Sequence, residues 1–131
     1  MSGIQPARIR PALLAVAGLA GLAGAAGVAL SAVAAHKVDS PALATAATIL
    51  MIHASAVLAL AGLAARMQNG VRWIACAGFM GLAALLFGGA VSFHALTGNH
   101  IFPMAAPTGG SALIASWLAV FVLAVWERFG R

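Results

Sequence analysis

The sequence predicts an all-α integral membrane protein, a four-helix up-down bundle, and three observations carry that prediction. The 131 residues are 63% apolar and only 7% charged, so a water-soluble fold would lack a polar surface. The apolar residues concentrate in four uncharged stretches, residues 12–35, 41–65, 73–97 and 107–126. Each reaches the roughly 20 residues that a helix needs to cross about 30 Å of hydrocarbon. The connections are short, roughly five, seven and nine residues, so consecutive helices are expected to pack antiparallel within one membrane domain, residues 1–131.

The first span follows Pro11, which suits the first turn of a helix because its missing N–H has no acceptor there. At this length it exceeds the 7–15 apolar residues of a signal peptide and reads as a retained span. Gly18, Gly21, Gly24 and Gly27 recur every three residues. Steps of three turn about 300°, so these glycines spiral over half the helix surface. Ala17, Gly21 and Ala25, and likewise Ala23, Gly27 and Ser31, form ladders of small residues that let helix backbones approach closely. A tightly packed central helix is the expectation, with a homo-oligomer contact as the alternative. No strand precedes the glycines, so they are not a dinucleotide fingerprint.

The second span starts at a cap followed by proline, Ser40-Pro41, and carries His53 in the middle of an apolar run. Ala46, Ile49, Ala56 and Leu60 share the face of His53, while Thr45, Thr48 and Ser55 cluster more than 100° away. Two faces of this helix are therefore expected to meet protein, unless the hydroxyls bond back to their own helix. Asn69-Gly70 marks the turn into the third span, where Gly88-Gly89 reads as a close-packing site and the lone Cys76 as a small buried side chain. Pro107-Thr108 repeats the cap logic before the fourth span, with Gly109-Gly110 behind it.

Charge orients the bundle. The N-terminal segment, the loop after the second span and the C-terminus share one side, which collects Arg8, Arg10, Arg66, Arg72, Arg128 and Arg131. Lys37 is the one basic residue on the other side. Short loops with that bias put both termini in the cytoplasm, with a cell inner membrane as the expected location and an organellar membrane consistent with the same physics. Trp73 and Trp126 fall at the cytoplasmic boundary, where indole rings favour the interface. The basic residues form no patch with interleaved aromatics, which argues against a nucleic-acid partner. The lipid bilayer is the partner that composition demands.

Taking the middle of each span as the midplane puts Gly24, His53, Leu85 and Trp117 at similar depth. An imidazole there needs a hydrogen-bond partner, because an unsatisfied polar group in hydrocarbon costs several kcal/mol. Trp117 and Ser116 are the nearest candidates. The Trp117 indole is expected to donate to one ring nitrogen of His53, and the ring's own N–H to go to the Ser116 hydroxyl or to a carbonyl beside a glycine. A structural hydrogen bond is the preferred role over ligand, proton or cofactor binding, since no Asp or Glu lies in any span to extend a proton path. The other histidines, His36, His94 and His100, gather with Asp39 toward the opposite side from the arginines. They form an outer-face group of the types that hold a metal, or a bis-histidine haem between His36 and His94, but they lack tight ligand spacing. No metal or cofactor is assigned.

The segments GLAGAAGVALSAVAAH, ILMIHASAVLAL, LLFGGAVSFHALTG and IFPMAAPTGGSALIASWLAVF occur in order across about residues 18 to 126. Together they resemble a small four-helix membrane family of unknown function that includes transmembrane protein 256 and bacterial YgdD-like inner-membrane proteins. Ala35-His36, His53, Ala95-Leu96-Thr97-Gly98 and Pro107-Thr108-Gly109-Gly110 occupy the family's characteristic places. Lys37 stands where a glycine is usual, and the chain has no tyrosine where the family carries tyrosines before the second-span histidine. The resemblance implies a helical membrane protein and no established activity.

With no nucleophile, base and acid in one set, and little mass outside the spans, an enzyme is not expected. The expected function is that of an accessory or structural subunit packing with itself or with a larger membrane complex. The alternative is a carrier or receptor for a small ligand, lipid, metal or proton that uses His53 and the outer-face histidines.

Overall fold

The structure, a computed structural model, describes residues 9–130. Among them are four helices and no strand: α1 (Arg10–His36), α2 (Pro41–Ala64), α3 (Gly70–Thr97) and α4 (Ala105–Phe129). All four are long and apolar enough to cross a membrane. Arg8 and Arg131, which contribute to the charge asymmetry, lie outside the described residues.

Local chemistry accounts for the helix ends. Pro11 stands in the first turn of α1. Ser40 caps α2, its Oγ accepting from the Leu43 amide at 3.3 Å ahead of Pro41. Two boundaries differ from the sequence expectation. Asn69 is the residue before α3 and Gly70 its first helical residue, so the pair opens the helix instead of turning within a loop. α4 begins two residues before Pro107, at Ala105, without a side-chain cap. Proline is tolerated there because the first four amides of a helix have no intrahelical acceptor.

α3 ends on Gly98, whose φ of 72° is left-handed and whose amide donates to the His94 carbonyl at 2.8 Å. A Cβ at that φ meets the following carbonyl oxygen. Gly98→Ala is therefore expected to destabilise the fold by about 1 kcal/mol in detergent unfolding, although space around the site is open.

Contacts give an up-down order. Gly24 faces Ala54 while Gly27 faces Leu50 and Ala47, so α1 and α2 are antiparallel. Gly81 packs on Val57 and Gly88 on Leu50, which makes α2 and α3 antiparallel too. Val16 lies by Gly78 and Leu19 by Gly81, so α1 runs parallel to α3. α4 returns along α3, with Gly109 on Phe87.

The bundle is not evenly closed. α1 packs along α2 and α3, whereas α4 packs closely only on α3 among the described residues. The centre therefore belongs to α2 and α3, with 44% and 50% of their spanning residues buried, against 22% for α1 and 17% for α4. This corrects the expectation of a central α1. Gly24 and Gly27 meet α2, but Gly18 and Gly21 have nothing within reach, and Gly21 and Ala25 of one small-residue ladder are exposed.

The hydroxyl face of α2 also departs from expectation. Thr45, Thr48 and Ser55 are exposed and bond to the carbonyls of Pro41, Ala44 and Met51 on their own helix. Satisfied in this way, a hydroxyl can face hydrocarbon without a protein partner. Trp73, expected at the interface, is only 2% exposed and belongs to the main core cluster with Ile9, Leu60 and Ala64. It stands three residues into α3, directly behind the tight approach of Gly70 to the Ala64 carbonyl, and that turn draws it inward. Trp126 is exposed as expected.

Candidate functional site

The site expected at the midplane forms between α2 and α4. Gly24 abuts Ala54, and Leu85 packs on the small cluster of Ala23, Leu50 and Ala54, so these residues share a level with His53. His53 is 6% exposed. Its Nε2 accepts from the Trp117 indole N–H at 3.2 Å, and the rings meet edge to face with centroids 6.1 Å apart. Nδ1 lies 2.7 Å from the Ile49 carbonyl one turn back on the same helix. A carbonyl can only accept, so the proton resides on Nδ1 and the lone pair on Nε2. That is the hydrogen-bonding pattern of a neutral imidazole with both nitrogens satisfied.

The structure thus brings together His53 and Trp117 and leaves Ser116 apart from them. Ser116 is fully buried, but its hydroxyl donates to the Ala112 carbonyl at 2.8 Å. It faces α3, where its own carbonyl lies 3.7 Å from the Cys76 thiol. Adjacent residues of a helix point about 100° apart, so Ser116 and Trp117 cannot both be aimed at one ring. The ring N–H goes instead to Ile49, a carbonyl within helical reach of any residue four positions on.

Chemically, the pair is a bolt between helices. Trp117 is 47% exposed and presents its indole N–H inward, covering the imidazole. Neither ring nitrogen of His53 has a spare lone pair, so a metal or ligand would reach it only after Trp117 swings away.

The outer-face residues separate into two groups. His94 and His100 stack with ring centroids 4.2 Å apart and planes 9° from parallel. They border a cleft of about 280 Å³ whose other walls include Val91, Ile101, Phe102 and Pro107. His36 ends α1 and Asp39 lies in the next loop. Among the described residues no three His, Cys, Asp or Glu side chains gather to hold a metal, so His36, Asp39, His94 and His100 do not come together as a metal-binding cluster.

At the opposite end, the Arg72 guanidinium lies 5.9 Å from the centre of the Trp126 ring, joining α3 to α4. Sequence reasoning assigned both residues to the membrane boundary and missed their contact. The signal available was their common depth at the ends of adjacent antiparallel spans.

Residues 23–110 match a family described as protein of unknown function (DUF423). No curated protein and no solved structure matches the chain. The matched segment takes in the second half of α1, all of α2 and α3 and the start of α4, including His53 and the outer histidines but not Trp117. With about two thirds of its length matched, the chain belongs to the DUF423 family, whose function is not known.

Proposed function

We propose that this is a non-catalytic multi-pass membrane protein serving as an accessory or structural subunit, packed against a second copy of itself or within a larger membrane complex. The uneven burial supports this reading: α1 and α4 have 22% and 17% of their spanning residues buried, at most half the share in α2 and α3. Lipid can cover such faces, but Gly18, Gly21 and Ala25 on the outer side of α1 offer the close backbone approach that favours helix association in a bilayer. The same reading puts the arginine-rich end, with both termini, in the cytoplasm, in a cell inner membrane or an equivalent organellar one.

Gentle solubilisation from native membrane, followed by native mass spectrometry, tests the proposal. A dimer or a stoichiometric partner is expected, and Gly21→Leu is expected to weaken that association while leaving the monomer folded. A monomer that retains only lipid would reject the subunit reading.

The stacked His94 and His100 beside their cleft favour a second reading, a carrier or receptor for a small ligand, lipid, metal or proton. A retained metal or small molecule, lost in a His94→Ala, His100→Ala variant, would prefer it to the first.

A further inference from the structure

We infer that the groove between α3 and α4 at the arginine-rich end is a binding site for an anionic phospholipid, its phosphate held by Arg72 and one acyl chain laid along α4. The groove has a volume of about 250 Å³ and is lined by Arg72, Val122, Leu123 and Trp126. It combines the two surfaces that such a lipid needs. Arg72 presents a planar set of N–H donors suited to phosphate oxygens. Its guanidinium is held near the Trp126 ring, 5.9 Å from the centroid, and so is kept beside the groove mouth.

Below that mouth the wall is apolar and continuous. Trp126, Val122, Leu118 and Ile114 recur every four residues on one face of α4, and each is more than half exposed. Twelve residues of helix span about 18 Å, enough to line one leaflet's share, about 15 Å, of the hydrocarbon core.

Charge selects an anionic lipid over a zwitterionic one. The chain has only two acidic side chains. Asp39 lies beyond the far end of α1, and Glu127 lines an adjoining cleft with Gln68 and Asn69 on the other side of Trp126. The Glu127 Oε1 atom is buried without a hydrogen-bond partner among the described residues, so Arg72 does not bond to it. Arg128 is turned about 200° from Trp126 around the helix and lies over Phe129 instead. The site therefore rests on one guanidinium and one indole, independently of any protein partner.

The test is native mass spectrometry of the detergent-purified protein with dioleoylphosphatidylglycerol, with dioleoylphosphatidylcholine, and with the soluble headgroup glycerol phosphate as competitor. The anionic lipid is expected to be retained about fivefold better than the zwitterionic one, the scale of one basic residue at a membrane surface. Arg72→Gln should abolish the preference, Arg72→Lys should keep part of it, and Trp126→Leu should reduce it. Arg128→Gln, the same loss of charge on another face, should leave it unchanged. Equal retention of the two lipids overturns the site. So does an equal effect of Arg72→Gln and Arg128→Gln, which would mean diffuse charge, or full competition by glycerol phosphate, which would mean a soluble-anion site. Arg72 is exposed and its one described contact, with Trp126, is a weak one, so Arg72→Gln without added lipid should melt cooperatively and close to the parent, which separates lost binding from lost folding.

Discussion

Gly109→Ala is expected to separate α4 from α3 and to destabilise the protein by about 2–3 kcal/mol, the upper range for overpacking. A Cβ at Gly109 would stand 2.6 Å from the Phe87 amide nitrogen and 2.8 Å from its Cα. Those are backbone atoms of a helix, which cannot rotate aside as a side chain can. At Gly88 the added atom would meet only the Leu50 side chain, and at Gly81 chiefly the ends of Leu19, so relaxation there is easier. Position matters as much as geometry, because α3 is the only helix that α4 packs on closely among the described residues. Beyond it α4 has the Trp117–His53 hydrogen bond to α2, a single side-chain tie that does not fix its backbone while α3 gives way. Gly110→Ala is the matched control: its Cβ would meet Phe87 ring carbons at 3.6 and 3.7 Å, ordinary contact distances. Unfolding of both variants in mixed detergent micelles should show a loss for Gly109→Ala and almost none for Gly110→Ala. Equal stability of the two would mean that α3 and α4 are not closely apposed at this point.

The same asymmetry explains what could be read in the sequence and what could not. Axial level was legible, because span length and the fixed rise of a helix set which residues of neighbouring antiparallel helices lie side by side. That reasoning brings His53 to the level of Trp117 and the arginines to one end. Rotation about each helix axis was much less legible. In water an apolar face marks the inside, but in a bilayer lipid and protein are equally apolar, and a leucine on α4 points to either. Gly18 and Gly21 carry the same signal as Gly24 and Gly27, yet only the second pair meets α2. Trp73 and Trp126 share a boundary in the sequence, yet the first is buried and the second exposed. The proton of His53 illustrates the point at atomic scale. Its destination, the Ile49 carbonyl, is offered by every helix to the residue four positions on and leaves no mark in the side chains.

Rotation is also what a double-mutant cycle on His53 and Trp117 measures. Trp117→Phe removes the indole N–H and leaves the His53 Nε2 lone pair buried without a partner, at an expected cost of about 1–2 kcal/mol. His53→Leu removes the acceptor and leaves the Trp117 N–H unpaired in a hydrocarbon setting, a cost of similar size. Ile49 suffers little from that change, since its carbonyl still accepts the helical amide of residue 53. In the double variant neither orphan exists, so its loss should fall short of the sum by about 1 kcal/mol, within the range measured for hydrogen bonds between membrane helices. Ser116→Ala in the same backgrounds should leave that coupling unchanged, because the Ser116 hydroxyl serves Ala112. Strict additivity would mean that the two rings do not bond, and α4 would then be held by α3 alone. A coupling that Ser116→Ala abolishes would instead assign the partner to the hydroxyl and rotate α4 by about 100° from its position here. The outcome bears on function as well. A bolt of this strength fixes α4 over α2, and any ligand at the imidazole must first supply a replacement for the indole N–H.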